Sequence, residues 1–419
     1  MGIIASLVET SSFSNALNHA PIKQPIKTGV VGLGHRSPPH LNKLITYEDF
    51  QLTAICDRRP ALVKSIGEWI EREHGRKVRG YCDYEDMIKK EDLDALVVLI
   101  DPDKQVPLIC RAMDAGCHVM AEVPLAYTLE DCWRLVATVE RTGKIFLLME
   151  QTRFWGFVRA WREIVQSGVI GRPLFVEGEY VGYYGTGFYF QDEEGHFYNA
   201  DRAKNTAKAK PTWRYNYHPI TYLPHELSPL LYVLDDHVDR VVGMSTQNQS
   251  YRVKEVRQAD FQCALMHTAK DAVMRLAVGF TTPVIHRGGG TFHHWYHIKG
   301  TDGALEWSRA EWDKPKLWVD KWQMPEPVAM PWTTARTDGP AAAKGSGHGD
   351  ADFYVFAQFA DAVLRGIAPE LDVYKAAQTA APAILAARSI ENHNNPVDVP
   401  DFRPGPHRKS GKLPKGIKT

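Results

Sequence analysis

Short runs of consecutive apolar residues alternate with amphipathic segments over residues 26–150. A run without polar positions is typical of a strand that is buried on both faces of a parallel sheet. The predicted strands are residues 27–32, 50–56, 94–100, 118–122 and 144–149. Because helical segments separate them, the pattern predicts an α/β fold with a doubly wound parallel sheet, as in a Rossmann domain.

After residue 150 the pattern changes to segments that alternate apolar and polar positions, such as 174–180 and 272–280. Alternation is typical of strands with one covered face. We therefore expect residues 151–403 to form an α+β domain for substrate binding and oligomerisation, built on a large, mostly antiparallel open sheet. Helices near 352–364 and 373–389 are predicted to close this domain.

Three segments fall outside these patterns. Residues 1–25 form an additional N-terminal arm that contains two prolines near its end. Residues 182–211 are polar and irregular, and a long loop within a compact domain is often a functional one. Residues 404–419 are rich in Lys, Gly and Pro, which predicts a disordered basic tail.

Composition narrows the class of protein. A chain of 419 residues is too long for one ordinary core. Its 50 basic and 50 acidic residues balance, whereas nucleic-acid binding needs a basic field. The six cysteines form no C-x-x-C pair, which predicts reduced thiols in a cytoplasmic protein and no structural zinc. No apolar run approaches the ~20 residues of a membrane span.

A glycine-rich turn lies between the first predicted strand and the next helix. Gly32 permits a tight turn, and Gly34 lets the backbone approach a pyrophosphate. His35 and Arg36 follow at the helix start, where free N–H groups and the helix dipole favour an anion. Ser37 stands in place of the third glycine of the usual dinucleotide motif.

The second strand ends at Asp57, close to the expected spacing of ~20 residues from the turn. A carboxylate at this position accepts hydrogen bonds from ribose hydroxyls and repels a 2′-phosphate, which favours NAD over NADP. Arg58 and Arg59 weaken this preference, because guanidinium groups attract a 2′-phosphate. The alternative is an ordinary turn in an α/β domain that binds no dinucleotide.

Residues 121–124, Ala-Glu-Val-Pro, follow a strand and resemble the Glu-Lys-Pro motif of the Gfo/Idh/MocA oxidoreductase family. Val123 replaces the lysine that assists hydride transfer in that family. Four further segments are similar to glycoside hydrolase family 109, the NAD-dependent glycosidases: residues 148–151, 222–229, 347–353 and 371–374. Related NAD-dependent glycosidases that act on sulfonated sugars are an equal alternative. Residues 182–211 depart from the family, so its amino-sugar specificity is not carried over.

The glycine turn and the resemblance together predict the residues that contact the cofactor, and these lie at the ends of the Rossmann strands and in the second domain. They are Gly32, Gly34, His35, Arg36, Asp57, Pro102, Gln105, Glu122, Val123, Gln151 and Tyr222.

The resemblance also implies a redox-assisted cleavage of a glycoside. The sugar is oxidised at C3, the aglycone leaves by elimination, water adds, and the ketone is reduced again. Such a reaction needs a base for the hydroxyl and a base for the C–H group, and Tyr222 and His225 suit these tasks. Both are also expected to contact substrate. The alternative is that they are packing residues at a helix start.

Arg214 matches a substrate contact of the family, and Arg153 lies just beyond the last Rossmann strand. Two guanidinium groups could hold an anionic substituent of the sugar. The alternative for Arg214 is a surface salt bridge. His286, His293, His294 and His297 lie close in sequence but fit no zinc spacing, so we predict strand residues and no metal.

The sequence thus predicts an NAD-dependent glycosidase that acts on a sugar glycoside and regenerates its cofactor. The first alternative is an NAD(P)-dependent sugar dehydrogenase or reductase of the same family. Such an enzyme consumes its cofactor instead of regenerating it. The second is a cofactor-binding scaffold without activity, for which Val123 is the best argument. The family further implies a homo-oligomer, either a dimer or a tetramer.

Overall fold

The computed structural model describes residues 25–182, 188–199, 202–203, 205–282, 293–406, 408–414 and 417. The arm predicted for residues 1–25 lies almost wholly outside these residues, as does His286. Elements are numbered below in chain order.

The N-terminal half of the fold is a parallel sheet of six strands. These are β1 Ile26–Val31, β2 Phe50–Cys56, β3 Arg79–Tyr81, β4 Ala95–Val98, β5 His118–Ala121 and β6 Phe146–Leu148. Their order in the sheet is β3-β2-β1-β4-β5-β6, with every pair parallel. The predicted doubly wound sheet is confirmed. The short edge strand β3 was not predicted, because its exposed residues form no apolar run.

Helices connect these strands and cover the sheet. They are α1 Ser37–Thr46, α2 Pro60–His74, α3 Tyr84–Lys90, α4 Pro102–Asp114 and α5 Leu129–Thr142. The start of α5 follows a local signal, because the Thr128 hydroxyl accepts a hydrogen bond from the Asp131 N–H at 3.1 Å. Its end follows another, because Gly143 adopts the left-handed conformation that glycine tolerates best.

The C-terminal half contains twelve strands among the described residues. They are β7 Pro173–Val181, β8 Phe190–Gln191, β9 Phe197–Tyr198, β10 Lys210–Pro211, β11 Val238–Ser245, β12 Gln262–Thr268, β13 Val273–Gly279, β14 His294–Gly300, β15 Gly303–Glu306, β16 Lys316–Val319, β17 Val328–Ala329 and β18 Val397–Asp398. Nine form one large sheet in the order β17-β16-β15-β14-β7-β13-β12-β11-β18. All its neighbouring pairs are antiparallel except β13 and β7. This confirms the predicted, mostly antiparallel sheet.

Four helices of this half pack on one face of the large sheet or between the two halves. They are α6 Gly156–Gln166, α7 Pro224–Leu234, α8 Ala351–Arg365 and α9 Val373–Glu391. Helix α7 packs against β7, whereas α9 packs against both β11 and α5. One side of α9 therefore closes the large sheet, and the other joins it to the Rossmann half.

Strands β8, β9 and β10 form a small separate sheet, in the order β10-β8-β9. They lie within residues 182–211, which the sequence predicted as an irregular loop. The strands have only two residues each, too few to show a periodic pattern.

The C-terminal segment is anchored rather than loose. The side chain of Arg408 is fully buried and contacts Glu140 of α5, with Nη1 and Oε2 2.6 Å apart. Glu140 also accepts hydrogen bonds from the Gly411 N–H at 2.6 Å and the Tyr374 hydroxyl at 2.7 Å. The prediction of a disordered tail from residue 404 is therefore wrong for Arg408 and Gly411, because a buried ion pair holds them.

Among the described residues, the structure contains no helix with the length and apolar character needed to cross a membrane.

Candidate active site

A cavity of about 960 Å³ lies where the two halves of the chain meet. On the Rossmann side it is lined by residues that directly follow β1, β2, β4, β5 and β6, which is where open α/β sheets bind ligands. On the other side it is lined by residues at the ends of the central strands β7, β13 and β14, by the small sheet, and by the start of α7. The predicted bases and all of the predicted cofactor residues except Gln105 therefore face the same space.

The glycine turn has a backbone that a larger residue would not tolerate at its first position. Gly32 has φ of 98°, and a Cβ there would lie 2.4 Å from the Leu99 carbonyl oxygen. At Gly34 a Cβ would meet only the Arg59 guanidinium, at 3.9 Å, so this glycine faces open space. One side of the turn thus packs closely against the Leu99 carbonyl, and the backbone on its other side is exposed to the cavity.

The start of helix α1 differs in one respect from the prediction. Pro38 and Pro39 occupy its first turn and have no N–H group, so the helix offers fewer free donors than expected. The Ser37 hydroxyl and N–H both donate to the Gly34 carbonyl, each at 2.9 Å, and close the turn. Arg36 lines the cavity beside the turn, where its guanidinium is paired with Glu122.

Asp57 links the turn to the end of β2. Its carboxylate accepts hydrogen bonds from the Leu33 N–H at 2.9 Å and from the Arg59 N–H and Nε at 2.9 and 3.0 Å. Burial raises the pKa of Asp57, but these donors outweigh burial and hold the pKa below its ordinary value. Arg59 also donates to Gln191 at 3.0 Å. Since Arg59 is tied to Asp57, it is less available to a 2′-phosphate, which strengthens the preference for NAD.

Glu122, which follows β5, lies largely buried between the Arg36 guanidinium and the His40 imidazole. Its Oε1 is 3.0 Å from Arg36 Nη2 and 2.7 Å from His40 Nε2. Burial raises the pKa of Glu122, but Arg36 and His40 outweigh this effect and hold the pKa well below its ordinary value. The next residue, Val123, lines the cavity with an apolar side chain where the oxidoreductase motif has a lysine.

Two residues predicted near the cofactor lie on α4. Pro102 lines the cavity. Gln105 is buried behind the wall and donates to the carbonyl oxygens of Glu122 and Pro124, at 3.1 and 2.7 Å. The predicted contact between Gln105 and the cofactor is therefore corrected: the side chain points toward the backbone after β5 and shapes the turn there.

Tyr222 and His225 both reach the cavity from the start of α7. The Tyr222 hydroxyl accepts a hydrogen bond from Arg214 Nη2 at 2.8 Å. The His225 Nδ1 lies 3.0 Å from Glu150 Oε1, which orients the ring and leaves Nε2 toward the cavity. The two rings stack with centroids 5.9 Å apart. Each candidate base thus has a charged partner, which packing residues would not need.

Arg214 and Arg153 do not form the predicted pair. Arg214 lines the cavity and stacks on Trp213, with its guanidinium carbon 4.1 Å from the ring centre. Arg153 is buried and donates to the carbonyl oxygens of Ser228 at 3.2 Å and Glu370 at 3.3 Å. The substrate contact predicted for Arg153 is therefore corrected, because its side chain turns away from the cavity into the second half of the fold.

Gln151 and His348 form a second polar edge of the cavity. Gln151 Nε2 lies 3.2 Å from His348 Nε2, and His348 Nδ1 lies 2.8 Å from Asp352 Oδ1. The other Asp352 oxygen is 3.2 Å from the ammonium of Lys43 on α1. The Gly-His-Gly segment noted in the sequence is therefore part of the site, held in place by a buried ion pair.

Sequence reasoning missed His294, which lines the cavity from the start of β14. It was interpreted as a strand residue, and it is one, but its ring stacks on Tyr180 with centroids 4.2 Å apart. The signal was in the register, since His294 pairs with Tyr180 across β14 and β7. His297 is three residues further and contacts Glu177 instead, with 3.1 Å between Nδ1 and Oε2.

Two protein families match separate parts of this chain. Residues 26–150 match an oxidoreductase family with an NAD-binding Rossmann fold, and residues 233–409 match the C-terminal domain of glycosyl hydrolase 109. A glycosyl hydrolase family 109 protein from Shewanella sp. strain ANA-3 is 25% identical, over 92% of this chain and 87% of its own length. An alpha-N-acetylgalactosaminidase from Shewanella oneidensis is 24% identical over the same shares.

A solved structure with the same fold is the WlbA dehydrogenase from Bordetella pertussis, in complex with NADH and UDP-GlcNAcA. It has a TM-score of 0.64 and 18% sequence identity, and the match covers 90% of this chain and 99% of that one. At this identity the likeness establishes the fold alone.

Proposed function

We propose that this chain is an NAD-dependent glycosidase. Its N-terminal domain belongs to the Gfo/Idh/MocA oxidoreductase family, and its C-terminal part belongs to the glycosyl hydrolase 109 C-terminal family. One observation carries the proposal. Tyr222 with Arg214, and His225 with Glu150, converge on the cavity that also contains the glycine turn. Val123 leaves this cavity without the lysine that a simple dehydrogenase of the family would use.

The cavity fits the cofactor, NAD. Gly32 adopts a conformation and a close packing that only glycine allows, and Gly34 leaves the backbone bare for a pyrophosphate. Arg36 adds positive charge there, and the ionised Asp57 suits ribose hydroxyls. We propose that Pro102, Glu122, Val123 and Gln151 hold the rest of the molecule. When bound, NAD supplies a reversible hydride acceptor for a sugar carbon.

The chain's own residues would then move the protons. We propose that Tyr222 acts as a phenolate, stabilised by the Arg214 guanidinium 2.8 Å away, and becomes a neutral phenol when Oη accepts the proton of the sugar hydroxyl. His225 Nε2 would remove the proton at carbon 2, which becomes acidic beside a ketone, and the Glu150 carboxylate stabilises the resulting imidazolium. The aglycone then leaves by elimination, and water adds to the alkene.

The substrate is a sugar glycoside. We propose that, of the two arginines predicted for this task, Arg214 contacts an anionic substituent where one is present, because Arg153 lies outside the cavity. A single guanidinium can hold a carboxylate or sulfonate, but with less selectivity than the two-arginine arrangement predicted from the sequence. We therefore expect only a moderate preference for anionic over neutral sugars.

The experiment incubates the purified protein with NAD and a panel of neutral and anionic chromogenic glycosides. The proposal predicts aglycone release over many turnovers with no net NADH absorbance, and none after the cofactor is removed. NADH that accumulates in proportion to oxidised sugar, without aglycone release, would instead establish the sugar dehydrogenase. Tyr222→Phe is the control, since it should stop turnover of either kind.

We also propose a cytoplasmic homo-oligomer. The cysteines are all free thiols, as a reducing compartment allows. The uncovered face of the large sheet exposes Met244 by 62% and Leu265 by 52%, and it is the surface through which a second copy would pack. Light scattering in solution tests this, and a monomer at micromolar concentration would refute it.

A further inference from the structure

A second carboxyl–imidazole pair lies beside the pair of Glu150 and His225. Glu226 Oε1 is 2.7 Å from His294 Nδ1, and the two imidazole rings are 6.2 Å apart. The Glu226 side chain is completely buried. Room for it comes from Gly178, where a Cβ would lie 3.1 Å from Glu226 Cγ. Neither Glu226 nor His294 has a task in the reaction described above.

The two carboxyl groups have opposite surroundings. Glu150 accepts hydrogen bonds from the Thr152 N–H at 3.0 Å, the Thr152 hydroxyl at 2.6 Å and the Arg153 N–H at 3.2 Å. Donors of this kind favour the ionised form. In the part of the chain that the structure describes, Glu226 Oε2 is buried without any hydrogen-bond partner. An ionised oxygen would be costly there, so this site favours the neutral acid.

These surroundings favour opposite directions for the two hydrogen bonds. With Glu150 as the acceptor, 3.0 Å from His225 Nδ1, that ring keeps a lone pair on Nε2. With the Glu226 acid as the donor, 2.7 Å from His294 Nδ1, that ring carries its proton on Nε2. Burial, followed by the charge of Glu150, raises the pKa of Glu226 well above its ordinary value. Burial and the nearby His225 lower the pKa of His294 well below its own.

We propose that His294 is the general acid that protonates the leaving-group oxygen, and that Glu226 resupplies its proton. The proposal rests on the glycosidase function above and adds a group that the resemblance did not predict. It also explains why two imidazoles with opposite proton positions face one cavity: one accepts a proton while the other gives one.

The elimination removes one proton from the sugar and gives one proton to the aglycone. The carbon 2 proton passes to His225 Nε2, and the electron pair of that C–H bond forms the double bond to carbon 1. The bond from carbon 1 to the aglycone oxygen breaks, and this oxygen takes the proton of His294 Nε2. The Glu226 proton moves to His294 Nδ1, which leaves a carboxylate. When water adds to carbon 1, its lost proton restores this pair, and His225 returns a proton to carbon 2.

The test varies the leaving group. A nitrophenolate leaves without acid assistance, whereas an alkoxide does not. For His294→Gln we expect kcat/KM to fall about 100-fold or more on alkyl glycosides, but less than about 10-fold on nitrophenyl glycosides. Glu226→Gln, which keeps the shape of the side chain, should show the same selective loss. An equal loss on both substrates would overturn the proposal.

His297→Gln is the matched control. His297 lies on the same strand and contacts Glu177 at 3.1 Å, but it does not line the cavity. We expect it to retain wild-type rates on both substrates. Selective loss of alkyl glycoside cleavage in this variant would show that the effect is structural and would also overturn the proposal.

Nitrogen NMR of the imidazoles gives a readout that does not depend on activity. We expect His294 protonated at Nε2 only, and His225 at Nδ1 in its neutral form. The opposite proton position at His294 would refute the acid role even if the enzyme is an active glycosidase. A wild-type enzyme that releases no aglycone would refute the proposed function and the leaving-group role together, whereas the NMR would still report the proton positions.

Discussion

The two walls of the cavity are built on different principles. The cofactor wall, formed by residues 32–36, Asp57 and Glu122, consists of backbone and of carboxylates paired with arginines. The proton wall, formed by Tyr222, His225 and His294, consists of side chains that contact Arg214, Glu150 and Glu226, respectively. The first wall has fixed charges suited to binding, whereas the second has groups that can gain or lose a proton.

The largest effect should come from the proton wall. We expect His225→Gln to lower kcat by about 10²–10⁴-fold, the usual contribution of a general base, while the NAD affinity stays within about twofold. Rapid assays of aglycone release and a fluorescence titration with NAD measure the two quantities separately. If NAD affinity fell as steeply as kcat, His225 would also contribute to cofactor binding, and the assignment of separate tasks to the two walls would be wrong.

A change remote from both walls should affect only stability. Arg408→Met leaves Glu140 buried without its cation, which typically costs about 3–5 kcal/mol. Denaturant unfolding measures this loss, and kcat and NAD affinity of the folded variant should match the wild type. A variant of unchanged stability would show that the C-terminal segment is not anchored as described.

A smaller effect, confined to binding, should come from the cofactor wall. In Gly32→Ala the new Cβ meets the Leu99 carbonyl in a backbone conformation with φ of 98°, which displaces the turn. We expect the Kd for NAD to rise at least about tenfold, or 1.4 kcal/mol. At saturating NAD the kcat should recover.

Gly67→Ala is the matched control for that variant. Gly67 lies within α2, and a Cβ there meets no atom within 4 Å. NAD affinity should be unchanged, and alanine should stabilise the helix slightly. Weaker NAD binding by this control would mean that the effect at Gly32 is not specific to the turn.

The residues of each wall could be predicted only as far as they lie close together in the sequence. Gly32 and Asp57 were predictable, because strand, turn and strand are local and their spacing is fixed. Tyr222 and His225 were identified only through the resemblance. The pairing of Glu226 with His294 joins residues 68 positions apart. It depends on the packing of α7 against β7, the neighbour of β14, which the sequence does not show.

Arg153 is a residue for which the sequence predicted a substrate contact that the structure does not have. It follows Gln151 in sequence, and Gln151 lines the cavity. The short 3-10 helix Thr152–Phe154 nevertheless turns the Arg153 side chain toward the Ser228 carbonyl. Neighbours in sequence on a helical turn point in different directions, so proximity alone did not predict a substrate contact.

The smallest effect concerns pH. Asp57 and Glu122 have pKa values lowered from 3.8 and 4.5, so both stay ionised at and above these values. A carboxyl with a lowered folded-state pKa stabilises the fold above its unfolded value and loses this contribution as the pH falls through the folded value. Burial lowers the pKa of His35 and His40 from 6.5, so both imidazoles are neutral above this value. We therefore expect a constant NAD affinity from about pH 7 to 9. A Kd that changed within this range would contradict the assignment of fixed charges to the cofactor wall.

The central claim is that cofactor and proton wall act together in a reversible oxidation and elimination at one sugar. Cleavage of a glycoside in deuterium oxide tests it directly. The account predicts one deuterium at carbon 2 of the released sugar for each aglycone freed, because a solvent-exchanged proton returns there when water adds. Release of the aglycone with only protium at carbon 2 would contradict the account, since direct hydrolysis never breaks that C–H bond.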